Sequence, residues 1–255
     1  MHNNTLIHPS AIISPKATLG KNVTVGQYTT IYDNVIIDDN TTIEGYCEIG
    51  VQNHLSNGVT LHIGKNSYIR SHSIFYEGST FKDNLTTGHR VTVREKTIAG
   101  ENLQIGTLTD IQGDCIIGDY VRMHSNVHVG QKSKIGNFVW IFPYVVLTND
   151  PHPPSEVLQG VTIEDFSVIS TMSVILPNTT IKTGCLIGAN SLLGIKTEPN
   201  TLYSGNPAKK ICIASKLRLK DGSRKPAYPW KNHFTRGYPK EVILEWEEMS
   251  NEGII

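Results

Sequence analysis

The densest set of side chains able to do chemistry runs from Arg122 to Gln131, as Arg-Met-His-Ser-Asn-Val-His-Val-Gly-Gln. His124 and His128 flank the amide of Asn126. Histidine titrates near neutral pH, so either imidazole is a candidate base or proton acceptor. The plainer reading is a hydrogen-bonded interface histidine. A second cluster, Thr148-Asn149-Asp150-Pro151-His152-Pro153-Pro154, joins an amide and a carboxylate to a proline-braced segment. Such a polar loop suits function, and its plainer reading is an extended crossover. A third stretch, Thr87 to Glu95, contains His89, Arg94 and Glu95.

What positions these residues is a repeat of six. Counting in sixes from Ile7 gives Ile7, Ile13, Leu19, Val25, Ile31, Ile37, Ile43, Ile49, Leu55 and Leu61. A second series, offset by two, runs from Ile63 to Leu147, and a third from Ile163 to Leu193. Of these 31 positions, 29 are Ile, Leu, Val, Met or Phe, against the nine or so expected if the 74 such residues among 255 were spread by chance. A period of six suits neither a 3.6-residue helix nor a plain alternating strand. It suits a short strand and a turn, one inward residue per face, with three such hexads closing one triangular coil. The 29 Ile against 7 Ala agree with an all-β chain. At ~4.8 Å per strand, ten coils would make a prism about 48 Å long. Most Ile, Val and Leu are then structural, each contributing roughly 1.5–3 kcal/mol when buried.

The period breaks in three places. A two-residue phase shift between Leu61 and Ile69 predicts a small bulge. Weak inward residues at Thr87 and Ala99 suggest a local corner distortion. Ten extra residues between Leu147 and Ile163 predict an inserted loop at 148–162. In His124 and His128, alternation about the inward Met123 and Val129 points both rings outward, on successive faces of one coil.

The ladder, with Gly after many inward residues and the closing run Tyr203-Ser204-Gly205-Asn206-Pro207-Ala208-Lys209-Lys210, resembles the hexapeptide-repeat left-handed parallel β-helix acyltransferases. The His-Ser-Asn, Thr-Gly-His-Arg and Leu-Thr-Asn-Asp segments together resemble the branch that N-acylates dTDP-linked amino-dideoxy sugars. The resemblance implies about ten triangular coils over 1–205 and a basic C-terminal extension over 206–255. It also implies a homotrimer, with acetyl-CoA as acyl donor and a nucleotide-linked amino sugar for a surface polysaccharide as acceptor. Some relatives place a catalytic histidine where this chain has Gln131, which cannot act as a base. The amino-sugar branch is expected to work by positioning a neutral amine.

The roles then expected are these. His124, His128, Asn149 and Asp150 are catalytic candidates. His89, Arg94, Glu95, Asn126 and Gln131 are expected to contact the sugar substrate. Gly130 would supply a backbone N–H to the oxyanion. Ser170, Gly188, Ala189, Lys196, Lys209 and Lys210 would hold the coenzyme. Alternatives remain: a sugar hydroxyl as acceptor, which needs a true base; a γ-type zinc carbonic anhydrase using His89, His124 and His128; or a non-catalytic scaffold with threonine ranks.

Charge divides the chain. Residues 209–240 hold ten Lys and Arg and the single acid Asp221, within a net charge of +0. Binding of coenzyme or nucleotide phosphates is one reading of this run and a solvated face is the other. No aromatic interleaving suggests nucleic acid. Pro239 to Asn251 is expected to be a helix, with Val242, Ile243, Trp246 and Met249 at helical spacing. The N-terminus has no secretory pattern and no apolar run is long enough to span a membrane, so a cytoplasmic protein is expected. Four dispersed cysteines, without a CxxC pair, suggest neither structural disulfides nor a cysteine zinc site, and no metal is expected.

Overall fold

The computed structural model describes residues 5–56 and 58–251, the last three in backbone only. The chain winds as a left-handed parallel β-helix of about eleven turns, ending in one short helix. Each turn visits three faces in order. Face 1 begins with Leu6–Ile7, face 2 with Ile12–Ile13 and face 3 with Thr18–Leu19. The faces are sheets of twelve, ten and nine strands, and neighbours in each sheet come from successive coils.

Each hexad places two residues inward rather than the one expected. Alternation along the strand turns residue i−2 inward as well as the aliphatic residue i. The i−2 position is mostly small or β-branched, as in the buried Val23, Thr29, Ser73, Ser79, Thr109 and Val127, with Leu85 and Leu103 as larger exceptions. Three of the four cysteines, Cys47, Cys115 and Cys185, fill such positions as free thiols. Burial pushes Cys47 up to about 11 and Cys115 to about 12, so neither is a ready nucleophile.

The corners explain why the period is six. Residue i−3 adopts positive φ, as in Asn22 (56°), Asn40 (59°), Asn102 (56°) and Asn126 (60°). Asparagine tolerates this region at lower cost than most residues. Gly106, at i+1, shows why glycine follows the aliphatic residue: a Cβ there would lie 2.3 Å from the His124 carbonyl carbon.

Two of the predicted breaks read differently in the structure. Leu55 is exposed and lies outside the ladder, so the first interruption is an insertion between Ile49 and Ile63; it opens on a register shift at Gly50 rather than on a bulge between Leu61 and Ile69. Leu61 fills an inward i−2 position instead. Ala99 causes no distortion and pairs in register with both adjacent coils, whereas Thr87 pairs in register with the following coil but interrupts the ladder to the preceding one, where only Tyr68 and Thr86 pair. Ala99 sits beside Phe81 on face 3, so a small residue matches a large one. Thr87 Oγ1 accepts the Arg70 N–H at 2.9 Å. The insertion after Leu147 is present and, like the first, leaves the edge between faces 2 and 3.

After the last coil, strand Thr201–Gly205 adds to face 1, and Ala208–Ile213 turns back against it. The chain then descends the outside of face 1 to helix α1, Lys240–Asn251. Trp230, Tyr238, Val242 and Trp246 pack there on Phe166, Val168 and Leu186, making a second apolar core outside the prism. Val242 and Trp246 thus use the predicted helical spacing, whereas the Met249 side chain lies outside the described residues. Among the described residues, no helix is long and apolar enough to cross a membrane.

Candidate functional site

Face 2 carries a polar dyad that follows directly from the coil length. Asp110 and His128 stand one full coil apart in the sequence, so stacking makes them neighbours in adjacent strands. His128 Nδ1 lies 3.2 Å from Asp110 Oδ2. The Gln112 amide donates to the same carboxylate oxygen. Burial alone would raise the Asp110 carboxyl. Hydrogen bonds from His128 and Gln112, with the charges of His128 and Arg94, hold it below its usual range. An ionised Asp110 orders the imidazole with Nδ1–H donated and Nε2 free to accept a proton.

The insertion after Leu147 forms the wall beside this dyad. Thr148 N and Oγ1 both donate to the Ile175 carbonyl at 2.9 Å, and Gln159 N donates to the Asn149 carbonyl at 2.8 Å. These bonds fix Asn149 and Asp150 at the root of the loop. They bound a groove of about 570 Å³ together with His128, Val146, Leu176 and Gly194. Gly130 is required here: a Cβ would lie 2.7 Å from the Leu147 carbonyl and 3.1 Å from Asn149 Cγ. Asp150 Oδ1 is shielded from solvent and has no hydrogen-bond partner among the described residues. A shielded acceptor left this way costs about 1–3 kcal/mol.

Below the groove, the same edge carries Arg94 and Glu95. Arg94 Nη2 lies 2.9 Å from the buried Glu95 carboxylate, which also accepts from Asn53 at 3.3 Å. The neighbouring buried Glu77 accepts from Gln52 at 3.0 Å and from Gly58 N at 3.1 Å. Two buried carboxylates therefore tether the first insertion to the edge that bears the second.

His124 lies elsewhere. It stacks on Phe142, one coil above, with ring centres 4.7 Å apart. Burial, reinforced by the Arg122 charge, holds its imidazole below the usual histidine range. It faces the C-terminal extension on face 1, not the groove on face 2. Ser170 and Gly188 continue the His124–Phe142 column upward on face 1, beside the exposed Ala189. Asn126 is the turn residue between His124 and His128. His89 sits two coils below on that same edge, with Nδ1 2.9 Å from Ser71 Oγ.

Several expected donors are already engaged. The Gly130 N–H donates to the Leu147 carbonyl at 2.9 Å and the Gly188 N–H to Tyr203 at 2.8 Å, both as rungs of the inter-coil ladder. Gly130 therefore supplies fit beneath Asn149, not a free oxyanion donor. Lys210 pairs with Glu198, while Lys196 and Lys209 are exposed. Lys231, from the basic run, is buried and donates to the Trp246 carbonyl of α1 at 3.2 Å. Gln131 lies half-buried just past Gly130 on the groove edge. Among the described residues, no three His, Cys, Asp or Glu side chains of one chain gather to hold a metal ion.

Sequence reasoning missed Asp110, Gln112 and the carboxylate of Glu77. The one-coil offset from His128 back to Asp110 was the available signal. It also missed the tethering of Gln52, Asn53 and Gly58, because Leu55 mimicked a ladder position.

Known proteins share this architecture. The family model described as the GMPPB C-terminal domain matches residues 1–99. The bifunctional protein GlmU of Alkaliphilus oremlandii is 33% identical over 121 residues, covering 45% of this chain and 22% of that protein. The chain thus spans about a fifth of the length of that curated relative. A UDP-N-acetylglucosamine acyltransferase from Bacteroides fragilis superposes with a TM-score of 0.55 at 19% identity, over 96% of this chain and 83% of that one. The Arabidopsis UDP-N-acetylglucosamine acyltransferase superposes at 0.50 with 18% identity, over 82% and 74%. The chain is a hexapeptide-repeat left-handed β-helix. In this β-helix the predicted site residues divide between two edges, with His128, Arg94, Glu95, Gly130, Gln131, Asn149 and Asp150 on or beside face 2 and His89, His124, Asn126, Ser170 and Gly188 along the face 1 side.

Proposed function

We propose that this protein is an acyltransferase that moves an acetyl group from coenzyme A to the amino group of a dTDP-linked amino-dideoxy sugar in the cytoplasm. The observation that carries the reading is Asp150 Oδ1, shielded and without a partner, in a groove beside Asn149 and the His128–Asp110 dyad. An amine donor would satisfy that oxygen and be aimed by it. The neutral amine attacks the thioester carbonyl, a C–N bond forms, and the C–S bond breaks. His128 Nε2 accepts the proton released from nitrogen, and the coenzyme leaves as a thiolate that is then protonated. Most of the acceleration comes from holding the two reactants together. The overall likeness to acyltransferases of sugar nucleotides supports the substrate class.

The second reading is transfer to a sugar hydroxyl. The His128–Asp110 dyad favours it, because a hydroxyl needs the base that an amine can do without. The test is a screen of dTDP- and UDP-linked amino sugars and their hydroxyl counterparts with acetyl-CoA, following thiol release. Amine acylation predicts release with an amino sugar, and a fall of about 100- to 1,000-fold in kcat/KM for Asp150→Asn, comparable to loss of one preorganised polar contact. No release with any acceptor rejects acyl transfer.

The proposal includes a homotrimer, which would bring one copy's face 1 edge against another copy's groove. It is supported by the edge between faces 1 and 2. Tyr28, Tyr46, Leu108, Tyr144 and Met172 all occupy positive-φ corners there and are exposed. Bulky residues pay about 1–3 kcal/mol in such conformations. The edge between faces 3 and 1 is an internal control: it carries Asn22, Asn40 and Asn66 where bare, but Tyr120, Phe138 and Phe166 where the extension covers it. Sedimentation should give three copies, and Tyr28→Asn with Tyr144→Asn should shift the protein toward monomer. A monomeric wild type at micromolar concentration rejects the trimer.

A further inference from the structure

The C-terminal extension builds a second cavity, of about 360 Å³, against face 1. Its size lies within the range of small-molecule sites, ~300–1,000 Å³. Its walls are aromatic: Trp140 and Phe142 from the prism, Tyr228, Trp230 and Phe234 from the extension. Phe234 and Trp140 meet edge to face, with centres 5.4 Å apart and planes at 87°. The polar groups are few. His124 brings ring nitrogens that make no hydrogen bond among the described residues, Tyr228 brings a hydroxyl, and His233 brings an imidazole whose Nε2 is engaged with the Ala227 carbonyl at 2.9 Å. The exposed Arg236 stands at the rim, 5.8 Å from the Phe234 ring centre.

Arg122 also borders the cavity but is committed. Its guanidinium lies 4.8 Å from the Trp140 ring centre and 4.4 Å from that of Tyr238, and it donates to the Gly237 carbonyl at 3.0 Å. Arg236 pairs with no carboxylate among the described residues. Flat aromatic walls, a small number of hydrogen-bonding groups and one uncommitted guanidinium at the mouth suit a planar, polar-edged, anionic molecule. An acyl chain would need none of the polar groups. A bare phosphate would need none of the rings.

We propose that this pocket binds the nucleobase of a phosphorylated nucleoside, stacked among Trp140, Phe142 and Phe234, with its phosphate at Arg236. Stacking on aromatic faces is tolerant of base identity, and Arg adds a planar cation for phosphate. The proposed acyl transfer offers two sources, the pyrimidine of the sugar nucleotide and the adenine of the coenzyme. The choice between them rests on that reading, and the chemistry of the pocket does not.

The chain's own tryptophans report on the site. Of the three in the sequence, Trp140 and Trp230 line the cavity, and Trp246 packs on Trp230 with centres 5.5 Å apart. The full chain is titrated with thymidine 5′-diphosphate, uridine 5′-diphosphate, adenosine 3′,5′-diphosphate and ribose 5-phosphate, reading tryptophan fluorescence and heat. At least one nucleotide should quench saturably, and ribose 5-phosphate should not. Selective quenching by pyrimidine nucleotides assigns the pocket to the sugar substrate, and by the adenine nucleotide to the coenzyme. Phe234→Ala should weaken binding about tenfold or more. Phe234→Leu, which keeps apolar bulk without a flat face, should weaken it too while leaving the near-UV spectrum of the extension unchanged. Arg236→Ala should weaken nucleotides but not the unphosphorylated nucleoside. No quenching by any nucleotide at millimolar concentration, equal quenching by ribose 5-phosphate, or unchanged affinity in Phe234→Leu overturns the proposal. Thiol release without nucleobase binding sinks the pocket and leaves acyl transfer standing; binding without thiol release does the reverse.

Discussion

His124 and His128 share one coil and are separated by three residues, yet they inhabit opposite environments. His128 meets a carboxylate, Asp110, at 3.2 Å. His124 meets the face of Phe142 and the charge of Arg122. The stacked partner lies one coil away in each case, and Arg122 adds its charge from two residues earlier on the coil of His124. Asp110 lies on the coil before His128, and Phe142 on the coil after His124. In a solenoid the chemistry of a side chain is set by the stacked neighbour more than by the adjacent one. A corner then separates successive faces, so one short motif feeds a polar groove on face 2 and an aromatic pocket on face 1.

The two regions should also differ in how they fail. The groove stands on the inter-coil ladder, whereas the pocket depends on an extension held mainly by aromatic contacts. Trp230 is buried among Trp140, Phe166, Tyr238 and Trp246, and its indole N–H donates to the Phe166 carbonyl at 3.1 Å. Trp230→Ala should cost about 3–5 kcal/mol of docking free energy for the extension. Calorimetry and near-UV circular dichroism should show an early transition for the extension and a nearly unshifted one for the prism. A single transition lowered as a whole would show that the two cores unfold as one unit.

This division was partly legible in the sequence. The ladder of Ile105, Ile111, Ile117, Met123 and Val129 specifies the coil, because each residue recurs at the same phase on a buried face. The same phase makes Asp110 and His128 neighbours. The inserted loop at 148–162 was visible as a break in that ladder. What was not legible depends on contacts outside the repeat. Nothing in the spacing of Trp230, Phe234 and Tyr238 places them on Trp140 and Phe142, several coils earlier in the chain. The basic run was read through its net charge, but Lys231 inside it donates to the Trp246 carbonyl of helix α1 and Arg236 stands on an aromatic ring. Leu55 illustrates the reverse error: a leucine in phase by coincidence, in a loop held by polar groups such as Glu77 and Glu95.

The chemical contrast between the histidines predicts a split in kinetic constants. His128→Asn removes the proton acceptor but retains an amide near Asp110. With an amine acceptor, kcat should fall by about tenfold, and with a hydroxyl acceptor by about 100- to 10,000-fold. His124→Phe preserves the stack on Phe142 and removes the ring nitrogens from the pocket. It should raise KM for the nucleotide-bearing substrate severalfold with kcat little changed. If His124→Phe lowers kcat more than His128→Asn does, the roles of the two edges are reversed.

The smallest expected effect is on pH-dependent stability. His124 is held below the usual histidine range, first by burial and then by Arg122. Above its unfolded pKa of about 6.5, both states are neutral and the group contributes no pH dependence. As pH falls below that value, the unfolded chain binds a proton that the folded chain resists. Stability therefore declines from about pH 6.5 downward and levels off once pH passes below the folded pKa. Asp110 adds nothing in this window. Its lowered carboxyl stabilises the fold above the unfolded carboxylate range, and that contribution is lost only at lower pH. Denaturant unfolding of wild type and His124→Phe between pH 7.5 and 5 separates the two. The variant should have the flatter profile, and because Asp110 is intact in both proteins, parallel profiles would remove the case for a histidine kept neutral on face 1.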